Sequence, residues 1–166
     1  MKTSVFCGFA FAAVVAFAVS AHEGHEKAKA VKAKAETISA SEIKWGPVPP
    51  ALPPGAQIAV LHGDPFKKQV FALRLKMPDG YKIGTHWHTQ DEQLTILSGT
   101  FMLAMGDSGA EPHALEAGAY HFLPGKMRHS ASAKGEVVLE MHGMGPFDIH
   151  YVNPADDPSK GAAAAK

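Results

Sequence analysis

Within one short stretch of this chain, His86, His88 and Glu92 stand at spacings that suit a metal ion. Successive side chains of a β-strand point to opposite faces, so histidines at i and i+2 share a face and offer two imidazoles to one point. Glu92, four residues on, adds a carboxylate. His129 can return from a different strand, because the intervening chain carries several turn signals. Three imidazoles and one carboxylate make a mixed nitrogen and oxygen donor set suited to Fe(II), Mn, Ni, Cu or Zn and poor for Ca or Mg. On an ion that prefers five or six ligands, four protein donors leave positions for water, substrate or dioxygen.

The residues around these four carry a resemblance to the cupin superfamily. Its first motif, G(X)5HXH(X)3,4E(X)6G, is matched without a gap by Gly80, His86, His88, Glu92 and Gly99. Its second, G(X)5PXG(X)2H(X)3N, is met at Gly118, Pro124 and His129, while Lys126 replaces the middle glycine and Ala133 the final asparagine. Gly125 lies one place early, and proline followed by glycine can still form the turn. The resemblance implies an all-β fold, a small antiparallel jelly-roll barrel, with a metal held by His86, His88, Glu92 and His129. It also implies a small-molecule ligand or substrate, and small cupins often pair as homodimers. Dioxygenase cupins add a role for Glu92 as a catalytic base that can leave the metal. An isomerase or lyase would use the same ion to polarise a carbonyl, and a non-catalytic module would only bind metal or ligand. The segments Leu61 to Pro65 and Met144 to Pro154 look like those of small bacterial cupins of unassigned activity.

The elements that must position the site read as short strands. From Gln57 on, candidates are Ile58 to Leu61, Val70 to Met77, Glu92 to Leu97, Thr100 to Met105, Tyr120 to Leu123, His129 to Ala133, Val137 to His142 and Asp148 to Val152. Pro78-Asp79-Gly80 is a turn that delivers the chain into the histidine strand, and Ser98-Gly99 reads as a hairpin tip. No helix-period pattern and no repeat stands out between Gln57 and Val152. Ahead of the strands, a proline-rich arm over 45–55 should run extended across the barrel.

The chain has 166 residues, 46% hydrophobic and 19% charged, which suits one domain with a modest core. Sixteen basic and sixteen acidic residues cancel, so no net field favours nucleic acid or an anionic membrane. The apolar run from Val5 to Val19, ending in small residues, reads as a secretory signal peptide over 1–21, and it is short for a membrane span. Export to the periplasm, or secretion, follows as the expectation, with no membrane attachment after cleavage. Cys7 would be lost with that leader, leaving no disulfide. A lysine- and alanine-rich tether over 22–36 cannot bury a core, the barrel should span 37–154, and the tail over 155–166 should fray.

Beside the four ligands, Tyr81, Trp87, Tyr120, Met127 and His142 are candidates to line a pocket, against the plainer reading of core or rim packing. His142 leads them, because it shares a partly polar strand face with Glu140, although an outward solvated pair fits that pattern equally. His121 and His150 read as surface residues, and His62 and His113 sit beside turns. His22 and His25 could chelate copper or nickel beside a new amino terminus, but a solubilising linker explains them more simply. The chain carries no glycine-rich phosphate loop, no Gly-x-Ser-x-Gly elbow and no cysteine nucleophile outside the leader.

Overall fold

Along the longer strands buried residues alternate with partly or fully exposed ones, and the buried set is mostly apolar. The computed structural model describes residues 34–107 and 110–163; the expected leader and nearly all of the tether, His22 and His25 included, lie outside the described residues. Nine strands follow one another: β1 (Gly46–Pro47), β2 (Gln57–His62), β3 (Val70–Met77), β4 (Lys82–Trp87), β5 (Glu92–Met105), β6 (His113–Glu116), β7 (Tyr120–Leu123), β8 (His129–Met144) and β9 (His150–Tyr151). On β3 the alternation is complete, with Phe71, Leu73, Leu75 and Met77 buried and the residues between them partly exposed. Met77, Ile96, Leu103, Leu123, Val137 and Leu139 form the driest part of the core. Each such side chain contributes about 1.5–3 kcal/mol of burial.

Two long strands carry the topology. The first half of β5 pairs with the last part of β8, Glu92 facing Gly143 and Ile96 facing Leu139, and its second half pairs with the start of β8, Thr100 facing Lys134 and Met105 facing His129. Both strands change sheet between these halves, where the register shifts around Ser98. One sheet then runs β1-β2-β3-β8-β5-β7 and the other β9-β4-β8-β5-β6, the two sharing β5 and β8. This is a jelly roll, as the sequence led us to expect.

Several elements differ from expectation. Ser98-Gly99 is not a hairpin tip, because the halves of β5 pair with β8 rather than with each other. Gly99 makes a bend instead: its φ is 78°, and a Cβ there would lie 2.2 Å from the Glu136 carbonyl oxygen. Likewise 129–133 and 137–142 belong to one strand, and β6 was not foreseen. The arm is extended only at β1, which pairs with Ile58 and Gln57, and then turns, Leu52 N donating to Pro49 O at 2.9 Å. The tail carries two helical turns as far as it is described. Asn153 caps a 3-10 turn at Pro154–Asp156, a short helix α1 spans Pro158–Ala163, and the Asp156 carboxylate packs on Gly84, where a Cβ would approach it to 2.8 Å.

The turn before β8 keeps its shape despite the missing glycine. Gly125 packs on the chain at Thr89, where a Cβ would lie 2.6 Å from the carbonyl oxygen, and Lys126 itself takes the left-handed conformation at φ 67°. Its N–H donates to His88 O at 2.7 Å, which ties this turn to a predicted ligand strand. A lysine there costs about 1–2 kcal/mol, partly offset on substitution by the greater freedom of an unfolded glycine. Lys126→Gly should therefore raise unfolding stability in urea by about 0.5–1 kcal/mol; a loss of stability would show that the lysine side chain matters more than its backbone.

Candidate metal centre

His86 and His129 meet because β4 and β8 place them directly opposite one another. Strict alternation along β4 would turn Ile83 and His86 to opposite faces, but the register shifts between them, so Ile83, His86 and His88 are all buried. Glu92 opens β5 and His129 opens β8, and the doubled course of these strands brings both to the same end of the barrel. All four side chains are buried, at 3–6% exposure. They are the only buried polar side chains among the described residues.

Each imidazole is oriented by a main-chain carbonyl. His86 Nδ1 bonds Gly84 O at 2.7 Å, His88 Nδ1 bonds Asp148 O at 2.5 Å, and His129 Nδ1 bonds Met127 O at 3.0 Å. A carbonyl can only accept, so Nδ1 carries the proton and Nε2 presents a lone pair, as metal-bound histidines require. Ligand atoms of the three histidines lie within 4.8 Å of one another, and together they can hold a metal ion. Glu92 Oε2 lies 3.5 Å from His129 Nε2 and 3.7 Å from His88 Nε2. His88 Nε2 and Glu92 Oε2 are buried with no hydrogen-bond partner, a costly arrangement that a cation between them would relieve.

Electrostatics favour neutral donors. Burial, reinforced by His129 and His88, pushes the His86 pKa down to about 2. Burial lowers that of His88 to about 4 and also lowers that of His129, against the pull of the Met127 carbonyl. Burial raises Glu92 to about 8, so without a cation its carboxyl keeps a proton at neutral pH. The chemistry of this donor set fits a divalent transition metal.

A cavity of about 350 Å³ opens onto His86, His88 and Glu92. The arm supplies one wall through Pro49, Ala51 and Leu52, and two tyrosines hold it there: Tyr151 Oη donates to Ala51 O at 2.8 Å and Tyr81 Oη to Pro53 O at 2.5 Å. Pro65 and Phe66, from the loop after β2, meet Phe147 and Ile149 at another wall, with Phe147 N bonded to Pro65 O at 2.7 Å. The Phe147 ring stacks on His88 at 4.4 Å. Asp148 follows it, its carboxylate fixed by Thr89 N at 2.7 Å, Thr89 Oγ1 at 2.6 Å and His150 Nε2 at 2.9 Å.

The other candidates lie elsewhere. His142 faces outward, bonding Glu140 at 3.0 Å, and Glu140 also receives Arg74 at 2.8 Å. Trp87 stacks on His150 outside the cavity, Tyr120 and Met127 are exposed, and Tyr81 acts through its hydroxyl on the arm. His121 is half-buried rather than a plain surface residue, and its Nε2 is enclosed without a partner. Asp148, Phe147 and the arm were missed as parts of the site. Asp148 stands sixty residues from the histidine it orients, a contact no local pattern encodes.

This two-sheet jelly roll, with three inward histidines at the cupin positions, gives the chain a cupin fold. It belongs to the family described as a domain of unknown function, DUF4437, matched over residues 15–150. No curated protein matches the chain. Among solved structures it is similar to the polyketide cyclase RemF from Streptomyces resistomycificus, at 15% identity and a TM-score of 0.64, over 78% of this chain and 94% of that one. It is also similar to a candidate acetylacetone dioxygenase from Methylibium petroleiphilum PM1, at 19% identity and a TM-score of 0.59, over 82% and 99%. An RmlC-like cupin from Shewanella frigidimarina aligns at 14% identity and a TM-score of 0.53, over 67% and 91%. At these identities the likeness is one of fold.

Two expectations follow from the geometry. In metal-free protein the raised pKa of Glu92 adds stability that is complete below the unfolded value near 4.5 and is lost as pH rises through about 8. The lowered histidines act oppositely, losing stability as pH falls below 6.5. Above about pH 7, where unfolded histidines have mostly lost their protons, the carboxyl dominates, and urea unfolding should lose about 0.5 kcal/mol per pH unit up to pH 8. Glu92→Gln should flatten that slope, and a wild-type profile already flat would remove burial of Glu92 as its cause. Separately, Asp148→Ala should weaken metal affinity about tenfold by freeing the loop whose carbonyl orients His88, while Asp148→Asn retains most of it. Equilibrium dialysis against a metal buffer measures both.

Proposed function

We propose that this chain is an exported, metal-dependent cupin enzyme, an oxidoreductase of the dioxygenase type acting on a small organic molecule. In this reading His86, His88, Glu92 and His129 hold the metal. One observation carries it: His88 Nε2 and Glu92 Oε2 are buried and unpartnered at the inner end of an apolar cavity, beside two further imidazoles whose tautomers are fixed by carbonyls. When bound, the metal supplies Lewis acidity and a path for electrons between an organic substrate and dioxygen. The protein's own part is to present neutral imidazoles, to exclude water with Phe147, Leu52 and Ile149, and to hold or release a proton at Glu92 Oε2. The solved neighbours described as a cyclase and a candidate dioxygenase support a catalytic use of this fold. The apolar segment from Val5 to Val19 supports export.

A second reading, a non-catalytic binding module, draws on a specific observation. Apart from the centre, Asp148 is the one ionisable residue lining the cavity, and its carboxylate is already engaged. Turnover separates the two readings. Protein purified from its native compartment should contain close to one equivalent of iron, manganese, nickel, copper or zinc, and His88→Ala should lose it. Reconstituted wild type should consume dioxygen with at least one of a panel of flavonols, catechols and keto acids. Metal retained by the wild type without dioxygen uptake for any reconstituted ion would leave the binding module, and no metal in either protein would end both readings.

A further inference from the structure

The walls of the cavity specify more than the place of reaction. Of the sixteen residues that line it, twelve are apolar, three belong to the centre, and the last is Asp148. No lysine, arginine, serine, threonine, tyrosine, asparagine or glutamine lines it. Away from the centre an anionic group would find no cation on the walls, and Asp148 adds negative charge. A polyol would leave its hydroxyls without partners against Leu73, Leu75, Met141 and Phe147, each unmade hydrogen bond counting against binding. Polar contact is concentrated at one end, at His86, His88 and Glu92. Phe66, another lining residue, is 68% exposed, an aromatic surface that an apolar ligand would cover.

We propose that the cavity takes a neutral, mainly hydrocarbon molecule that turns a single oxygen-bearing end toward His86, His88 and Glu92, and that it rejects sugars, sugar acids and amino acids. At the usual packing density a volume of about 350 Å³ encloses about a dozen non-hydrogen atoms. This inference rests on the metal reading only for the oxygen-bearing end; selection for an uncharged body comes from the walls alone.

The test uses the full chain loaded with zinc, so that binding is read without turnover. Calorimetry should show 1-phenyl-1,3-butanedione binding at least tenfold more tightly than the same molecule carrying a ring carboxylate, and no heat from galacturonate. Phe66→Arg, at an exposed rim position outside the centre, should improve affinity for the carboxylated probe about tenfold. Equal or tighter binding of the carboxylate or of galacturonate by the wild type would overturn the proposal, as would zinc-loaded protein that binds none of the probes. Metal-free protein challenged with butylbenzene separates this idea from the metal reading. A raised melting temperature there supports the apolar cavity even where no metal is retained, and an unchanged one in that case overturns it.

Discussion

The antiparallel pairing of β5 with β8 is the interaction on which everything else rests. Because each strand bends into the second sheet, both ends of each return to the same end of the barrel, and the pairs Glu92–Gly143 and Met105–His129 close the ring around the centre. The bend is possible only where the chain can turn sharply beside its partner, and Gly99 against the Glu136 carbonyl is that place. The core residues at the bend, Ile96 and Leu103 on β5 with Val137 and Leu139 on β8, are among the driest in the molecule. Burial of four polar side chains is tolerated because this frame is fixed by apolar packing that does not involve them.

Around that frame the centre is oriented by backbone rather than by side chains. Gly84, Met127 and Asp148 each offer a carbonyl, and a carbonyl cannot change protonation with pH. The tautomers of the three histidines are thus set by fold geometry. The side-chain hydrogen bonding that supports the site, from Thr89 and His150 to Asp148, acts one step back, on the loop that brings its carbonyl to His88.

Much of this was legible in the chain. His86 and His88 at i, i+2, with Glu92 and His129 at their motif spacings, marked the four residues that the fold buries together, and period-two alternation marked most of the strands. Two kinds of information were not local. The shift in β4 that turns both Ile83 and His86 inward is decided by pairing with β8, so alternation alone would have placed one of them outside. His142 shared a face with Glu140 as read, and that face points outward because Val137 and Leu139 on the other face fill the core, leaving Glu140 to pair with Arg74 and His142. Phe147, Asp148 and the arm reach the cavity through contacts between distant segments, and neither composition nor period encodes those.

The arm leaves a consequence for how such a protein can change. Pro49, Ala51 and Leu52 form a wall of the cavity, yet they precede the barrel strands and carry none of the ligands. They are secured by a two-residue ladder, by two tyrosine hydroxyls that bond main-chain carbonyls, and by packing of Val48 and Leu52 on the core. Main-chain anchors are indifferent to which side chains the arm carries. One wall of the cavity can therefore be recoded at the front of the domain without touching His86, His88, Glu92 or His129, which makes the arm an interchangeable part of an otherwise constrained barrel.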